Sequence, residues 1–428
     1  MSSNINQRVV VTGMGVIAPN GHGLDQFSEA LQQGKSGIRY IPKLEEFDFN
    51  CRVGGIPENS EQIAQKYFDA VDLMAMNESM IYASIAGLDC YNDALLPARD
   101  IHTEVDWDTG AIIGTGIGGV EVLATKLIPK VENKKTKRLG STLVEQIMCS
   151  SVSAKLGGLL ALGGQVTTNS SACTTGTEAI VNAFHKIKSG SIKRMMAGGA
   201  EGSHYLTWAG FDGMKVLNGR DNDHPEKASR PMSQSANGFI PGAGSGVLML
   251  ESLESALARK ARIYAEIIGG SVNSGGQRNG GSMTAPNPEG VIRCIREAML
   301  MAKIAPKDID AINGHLTATM ADPMEVENWR RALELTPHEF PFIHSTKSMI
   351  GHCLGAAGAI ESVATILGLH HGYIHGSLNC EDLHENLKEY GKSVVHTTRE
   401  FKGEIIAKSS FGFGDVNGCL LIKKWRNK

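Results

Sequence analysis

The feature that most constrains the fold is an order of elements that occurs twice. Apolar runs of strand length alternate with helix-period segments along the whole chain, which is the pattern of α/β architecture. Val9 to Val16 reads as a buried strand, and a helical stretch follows it with Phe27, Ala30 and Leu31 on one face. Far downstream, Ile263 to Val272 is again strand-like. It too precedes a helical segment, Pro288 to Ala302, whose Val291, Ile292, Ile295 and Met299 recur at helical spacing. The strand-and-turn DTGAIIGTGIGG (108–119) is answered by DIDAINGHLTAT (308–319). The small-residue helix start SACTTGTEAI (171–180) is answered by GHCLGAAGAIE (351–361), and the closing strand SGVLMLES (245–252) by NGCLLIKK (417–424). Two similar α/β halves are expected, 1–260 and 261–428, with a site between them.

Composition narrows the function classes. The chain has 428 residues, 42% of them hydrophobic, which suffices for one large double domain and excludes a disordered protein. A formal charge of -3 gives no support for nucleic-acid binding. The N-terminus MSSNINQRVVVTGMGVI lacks a basic region followed by an apolar core and cleavage site, and no apolar run reaches 18 residues. The expectation is a cytoplasmic protein with no membrane span. The eight cysteines are scattered without CxxC pairs, so most are expected to be reduced, buried and structural.

Cys173 is the thiol whose surroundings suggest chemistry. In NSSACTTGTEAIVNAFHKI, Ile180, Ala183, Phe184 and Ile187 form a helical stripe that places Cys173 at a helix N-terminus. Free N–H groups there favour a thiolate and can hold an oxyanion. A small core residue is the plainer reading of a lone cysteine, and the flanking small residues count against it. His315, in NGHLTATMADPMEVE, and His352, in STKSMIGHCLGAAGAIE, each end a strand-like run in the second half, which suits convergence on one cleft. Neither has HxxxH or HxH spacing, so no metal site is expected. Lys347 and Glu325 are candidates for an ion pair that orients the imidazoles, or are ordinary surface charges. SSFGFGDVNG (409–418) sets two phenylalanines among glycines, suited either to a mobile ligand-covering loop or to a plain tight turn.

Taken in order, RVVVTGMGVIAPNG, GTGIGG, SACTTGTEAI, MMAGGAEGS, ASRPMSQSANGFIPGAGSGVLMLE, STKSMIGHCLGAAGAIES and SSFGFGDVNG resemble the elongating β-ketoacyl-acyl carrier protein synthases of the thiolase superfamily. The likeness covers nearly the whole chain. It implies a thiolase-type fold of two pseudo-repeated halves in five layers (α-β-α-β-α), usually dimeric. It implies decarboxylative condensation of an acyl group, held as a thioester on Cys173, with malonyl-acyl carrier protein. His315 and His352 would hold the malonyl thioester carbonyl, and Lys347 would orient them through a salt bridge to Glu325. The backbone N–H groups of Cys173 and Phe411 would form the oxyanion hole. Thr317 and Thr319 would bind the phosphopantetheine arm, Ile117 would set acyl-pocket depth, Phe239 would line the site, and Phe413 would help gate it. No metal or organic cofactor is implied, since the substrates carry phosphopantetheine on acyl carrier protein. Lys134, Lys135, Lys137 and Arg138, with Lys215, would dock that acidic partner.

Four residues depart from the family pattern: Leu316 beside a candidate histidine, Asp415 and Val416 after FGFG, and Ala285 near the pantetheine path. They are expected to alter lining, gating or flexibility, and they suggest a specialised synthase for polyene, pigment or unusual lipid chains. Two other readings stay open. One is a partner-dependent subunit or chain-length partner of a heterodimer, instead of a homodimer. The other is a thiolase or initiating synthase that uses coenzyme A thioesters.

Overall fold

The computed structural model describes residues 7–426. The start of the N-terminal stretch read for a leader, residues 1–6, lies outside the described residues.

Ten principal strands carry the fold. The first half contains β1 (Val9–Ala18), β2 (Thr109–Gly114), β3 (Val166–Thr167), β4 (Arg194–Glu201) and β5 (Gly244–Ser252). The second contains β6 (Ala265–Ser274), β7 (Ala311–Asn313), β8 (Phe342–His344), β9 (Ile405–Gly412) and β10 (Val416–Lys424). Their spatial orders are β3-β2-β4-β5-β1 and β8-β7-β9-β10-β6, the same permutation twice. The strand directions repeat as well. In each half the first two pairings are parallel and the last two antiparallel. The halves join where Val9–Val11 of β1 pairs antiparallel with Ala265–Ile267 of β6.

Two helices separate the halves. α2 (Thr175–Lys188) and α5 (Ala357–His371) pack on each other, and each touches strands of both halves; α1 (Glu78–Asp93) instead covers the outer face of β1 and β5. α3 (Pro288–Ala302) covers β6 and β10, with α4 (Asp322–Leu333) against it. The result is five layers, α-β-α-β-α. The burial follows from composition. Thirteen consecutive residues of α5, Ala357–Leu369, are buried, and all but Glu361, Ser362 and Thr365 are apolar or glycine, as a helix covered on every side requires. Each such Ile or Leu contributes roughly 1.5–3 kcal/mol by leaving water. β1 is buried along all ten residues, consistent with a strand covered on both faces.

Glycine in β1 has a specific use. A Cβ at Gly15 would come within 1.9 Å of the Ala86 carbonyl oxygen, so α1 can lie on β1 only if that position is bare.

Candidate active site

The two central helices begin alike. Each is preceded by a 3-10 turn, Ala172–Thr174 before α2 and Leu354–Ala356 before α5. Ala172 and Leu354 take φ of 49° and 46°, a left-handed conformation that costs a non-glycine residue about 1–2 kcal/mol. In the first half this turn presents Cys173 at the top of α2. Thr175 Oγ1 donates to the Ala172 carbonyl (2.7 Å) and accepts from the Ser171 N–H (2.8 Å), locking the turn.

His315 lies two residues beyond β7 and His352 two beyond the short helix Lys347–Ile350, both on the face where Cys173 emerges. His352 is pinned across the halves: its N–H donates to the Ile240 carbonyl (2.7 Å) and its carbonyl accepts from Gly242 (2.8 Å). Ligand atoms of Cys173, His315 and His352 all fall within 4.8 Å of one another. The imidazoles stand edge to face, with centroids 5.2 Å apart.

Electrostatics set the protonation states. Burial, reinforced by the positive charge of Lys347 and Lys408, holds both histidines well below the ordinary imidazole value, so both are neutral at pH 7. His352 Nδ1 accepts from the Leu354 N–H (3.1 Å), which places its ring hydrogen on Nε2, facing the cavity. Burial pushes the Cys173 thiol up to about 11, against the lowering by Lys347 and by the N–H groups of Phe413 and Cys173. The helix start therefore does not make Cys173 a resting thiolate, as its position alone suggests. Desolvation outweighs the dipole, and the thiol needs a base.

Two expected pairings differ. Lys347 does not bridge to Glu325: its Nζ meets Glu361 Oε1 of α5 (2.5 Å), both groups wholly buried. Glu325 instead accepts from the backbone N–H groups of His315 (2.6 Å) and Leu316 (2.7 Å), so it shapes the histidine loop through main chain. The second difference concerns the N–H pair at the sulfur. It comes from Cys173 and Phe413, not Phe411. Phe411 lies within β9, its ring 6.3 Å from that of His315, while bare Gly412 lets the strand pass the Cys173 N–H.

These groups line a cavity of about 640 Å³ between the halves. Thr317 and Thr319 share its wall, their hydroxyls 3.0 Å apart. Phe239 packs on His352 (5.3 Å between centroids), and Phe211 bridges Phe239 and Phe413. Lys215 stands exposed on the rim, whereas Lys134, Lys135, Lys137 and Arg138 are exposed on a segment that does not line the cavity. Ile117 is likewise outside the lining and 39% exposed. Leu316 does not line the cavity either; it is buried behind it among Val326, Trp329 and Phe411.

Sequence reasoning missed three buried charges. Glu361 holds Lys347, and Lys408 of β9 holds the same carboxylate (Nζ–Oε2 2.8 Å). Glu201 accepts from Gly116, Ile117 and Gly355, stitching the GTGIGG loop of one half to the α5 turn of the other. Each interrupts an otherwise apolar run, the signal that could have found them. A dication among Cys173, His315 and His352 would face Lys347 and Lys408 behind them, a poor setting for a metal.

Asp415 is a pin. Buried at φ 60°, it accepts from the Asn287 N–H through Oδ1 and the Gln277 N–H through Oδ2 (both 2.8 Å), tying the FGFG turn to 275–287. Asp415→Ala leaves both N–H groups unpaired. Their hydrogen exchange should accelerate by about tenfold or more, with β1 amides unchanged as internal reference.

Comparison with known proteins agrees with this geometry. Residues 6–256 match the family model "Beta-ketoacyl synthase, N-terminal domain", and 264–381 match its C-terminal domain. The 3-oxoacyl-[acyl-carrier-protein] synthase 2 of Vibrio harveyi is 35% identical over 422 residues, 98% of this chain and 99% of that protein. Among solved structures, the ishigamide ketosynthase/chain length factor superposes with a TM-score of 0.87 at 28% identity, covering 98% of this chain and 100% of that one. A type II PKS acyl-carrier protein in complex with its ketosynthase bound to the hexaketide gives 0.86 at 26%, with the same coverage.

Proposed function

Because the chain belongs to the β-ketoacyl synthase family, we propose that it condenses an acyl group held on Cys173 with malonyl-acyl carrier protein, releasing carbon dioxide and β-ketoacyl-acyl carrier protein. The observation that carries this reading is the convergence of one thiol, two neutral imidazoles and two backbone N–H groups on a cavity between the halves.

The steps follow from the geometry. The Cys173 thiol gives its proton to neutral His315, the sulfur attacks the acyl thioester, and the proton leaves with the departing pantetheine thiol. His352 then offers Nε2–H, with His315 beside it, to the malonyl thioester oxygen as carbon dioxide departs and an enolate forms. The enolate carbon attacks the acyl carbonyl, whose oxyanion lies against the N–H groups of Cys173 and Phe413. Collapse releases the Cys173 sulfur as a thiolate, which takes a proton from water to restore the thiol. Phe411, Phe413 and Phe239 keep water from the enolate. The chemistry calls on no metal or organic cofactor. Thr317 and Thr319 suit the amides of the pantetheine arm, and Lys215, at the mouth, suits an acidic carrier protein; Lys134, Lys135, Lys137 and Arg138 serve only a more distant part of that surface.

This reading assigns the nucleophile to a first half ending near 260 and the histidines, Lys347 and the FGFG turn to the second. It also places the chain in the cytoplasm; among the described residues no helix is long and apolar enough to cross a membrane. Ile117, exposed away from the cavity, can bound an acyl chain only from a subunit interface, which favours a dimer. The likeness to a ketosynthase/chain length factor favours testing a heterodimer as well.

The test uses purified chain and acyl-acyl carrier protein. Peptide mass spectrometry should find the acyl group on Cys173, and malonyl-acyl carrier protein should discharge it as β-ketoacyl product. Acylation without product, cured by a second subunit, would show the heterodimer. No adduct on Cys173 would overturn the reading.

A further inference from the structure

Lys408 lies on β9, wholly buried, in a run that is otherwise apolar or small, IIAKSSFG. A buried ammonium survives only when its hydrogens and its charge are met, and here the partners lead to elements that adjoin each reacting group. Nζ pairs with Glu361 Oε2 (2.8 Å) on α5, the helix that follows His352. It lies 3.3 Å from Ser410 Oγ, which bonds Thr177 Oγ1 (2.8 Å) on α2, the helix that follows the Cys173 turn. It also donates to the Ser409 carbonyl, and Ser409 Oγ reaches Glu325 (3.3 Å), the carboxylate beneath the His315 loop. Five residues on, just past the end of the same strand, stands the Phe413 N–H.

The charge balance is equally telling. Glu361 is shared by two buried ammonium groups, Lys347 on Oε1 and Lys408 on Oε2. For holding Glu361 alone, one lysine suffices. The second adds positive charge behind the two imidazoles, opposed by Glu325 beneath the His315 loop, and beside burial and Lys347 that charge disfavours a proton on either ring.

We propose that Lys408 is a positioning residue of the condensing site. It clamps the helix after Cys173, the helix after His352 and the strand that leads to Phe413 into one frame, and it adds to the positive charge behind the two imidazoles.

The inference rests on the condensing function proposed above. The test therefore measures wild type and Lys408→Met, which keeps the bulk and removes the charge, in both Cys173 acylation and malonyl decarboxylation between pH 5 and 9. Loss of the charge lets the imidazoles protonate more easily. The acid limb of decarboxylation should rise by roughly 0.5–1 pH unit, with kcat lowered about tenfold or more and KM for malonyl-acyl carrier protein little changed. In Lys408→Ser, which opens an ammonium-sized space beside Glu361, added ammonium should move the limb back. Wild-type chain that neither acylates nor condenses defeats the functional reading. Wild type that condenses, with variants whose acid limb is unmoved, defeats the role of Lys408. Failure of both variants to fold would make the residue structural only and would also overturn the proposal.

Discussion

Cys173→Ala is expected to lower condensation by at least about a thousandfold, since a covalent intermediate cannot form without its sulfur. The loss should be chemical, not structural. Cys173 faces the cavity and carries no core contact comparable with Ile180 or Phe184 one turn or more along the same helix, so unfolding should shift by only about 0.5 kcal/mol. One activity should persist. The groups that meet a malonyl carbonyl, His315 and His352, are untouched, so carbon dioxide should still be released from malonyl-acyl carrier protein and acetyl-acyl carrier protein should accumulate. Chromatography of the carrier-bound products, beside a thermal melt, separates these outcomes. Condensation at the parental rate would refute the assignment of the nucleophile. Parallel loss of decarboxylation and of the fold would show that Cys173 is a packing residue.

The site was legible in the sequence where chemistry forces unusual neighbours, and illegible where two equivalent groups compete. Cys173, His315 and His352 stood out because each sits among small residues at the end of a strand or the start of a helix, and the structure gathers them. The partner of Lys347 did not. Glu325 and Glu361 both lie close in the chain, and only the tertiary packing of α5 places Glu361 beside the ammonium. Phe411 and Phe413 posed the same difficulty: they stand two residues apart in one glycine-spaced run, and pattern cannot say that β9 stops between them, leaving Phe411 in the strand and the Phe413 N–H in the turn at the sulfur. Lys408 and Glu201 escaped because attention to apolar runs treats an embedded charge as noise, when it is the best sign of a buried network.

The fold was legible for a related reason. The echo between DTGAIIGTGIGG and DIDAINGHLTAT follows from two strands, β2 and β7, that occupy the same place in the permuted order of each half. What the sequence could not reveal was length. β3 has two residues and β7 and β8 three each, too few for a period to be read, and they are fixed by parallel pairing to neighbours distant in the chain. Leu316 shows the same limit at one residue. Its place beside His315 suggested an altered lining, yet its side chain is wholly buried in the core cluster of the second half, so its effect on the cavity passes through Glu325 and the loop backbone.

His315→Ala and His352→Ala should each reduce decarboxylative condensation by about 10²–10⁴-fold, the range found when a general base or an oxyanion donor is removed. The two losses should divide differently. His352 is fixed as a donor by its Nδ1 bond to Leu354, so His352→Ala should fall chiefly on malonyl decarboxylation, with Cys173 still acylated. His315 is the nearby neutral ring free to take the thiol proton, so His315→Ala should slow acylation as well, and more at pH 6 than at pH 9. The sign follows from the thiol: burial lifts it to about 11, so rising pH supplies thiolate directly and lessens the need for a base. The imidazoles work in the opposite sense. Both lie well below the ordinary value, so wild-type decarboxylation should stay flat through neutrality and decline only in acid, when the rings take up protons. In malonyl decarboxylation, where both rings serve one carbonyl oxygen, the double variant should lose little more than the worse single variant. Fully multiplicative losses of decarboxylation would mean that the two histidines act independently in that step, and a shared oxyanion contact would then be wrong.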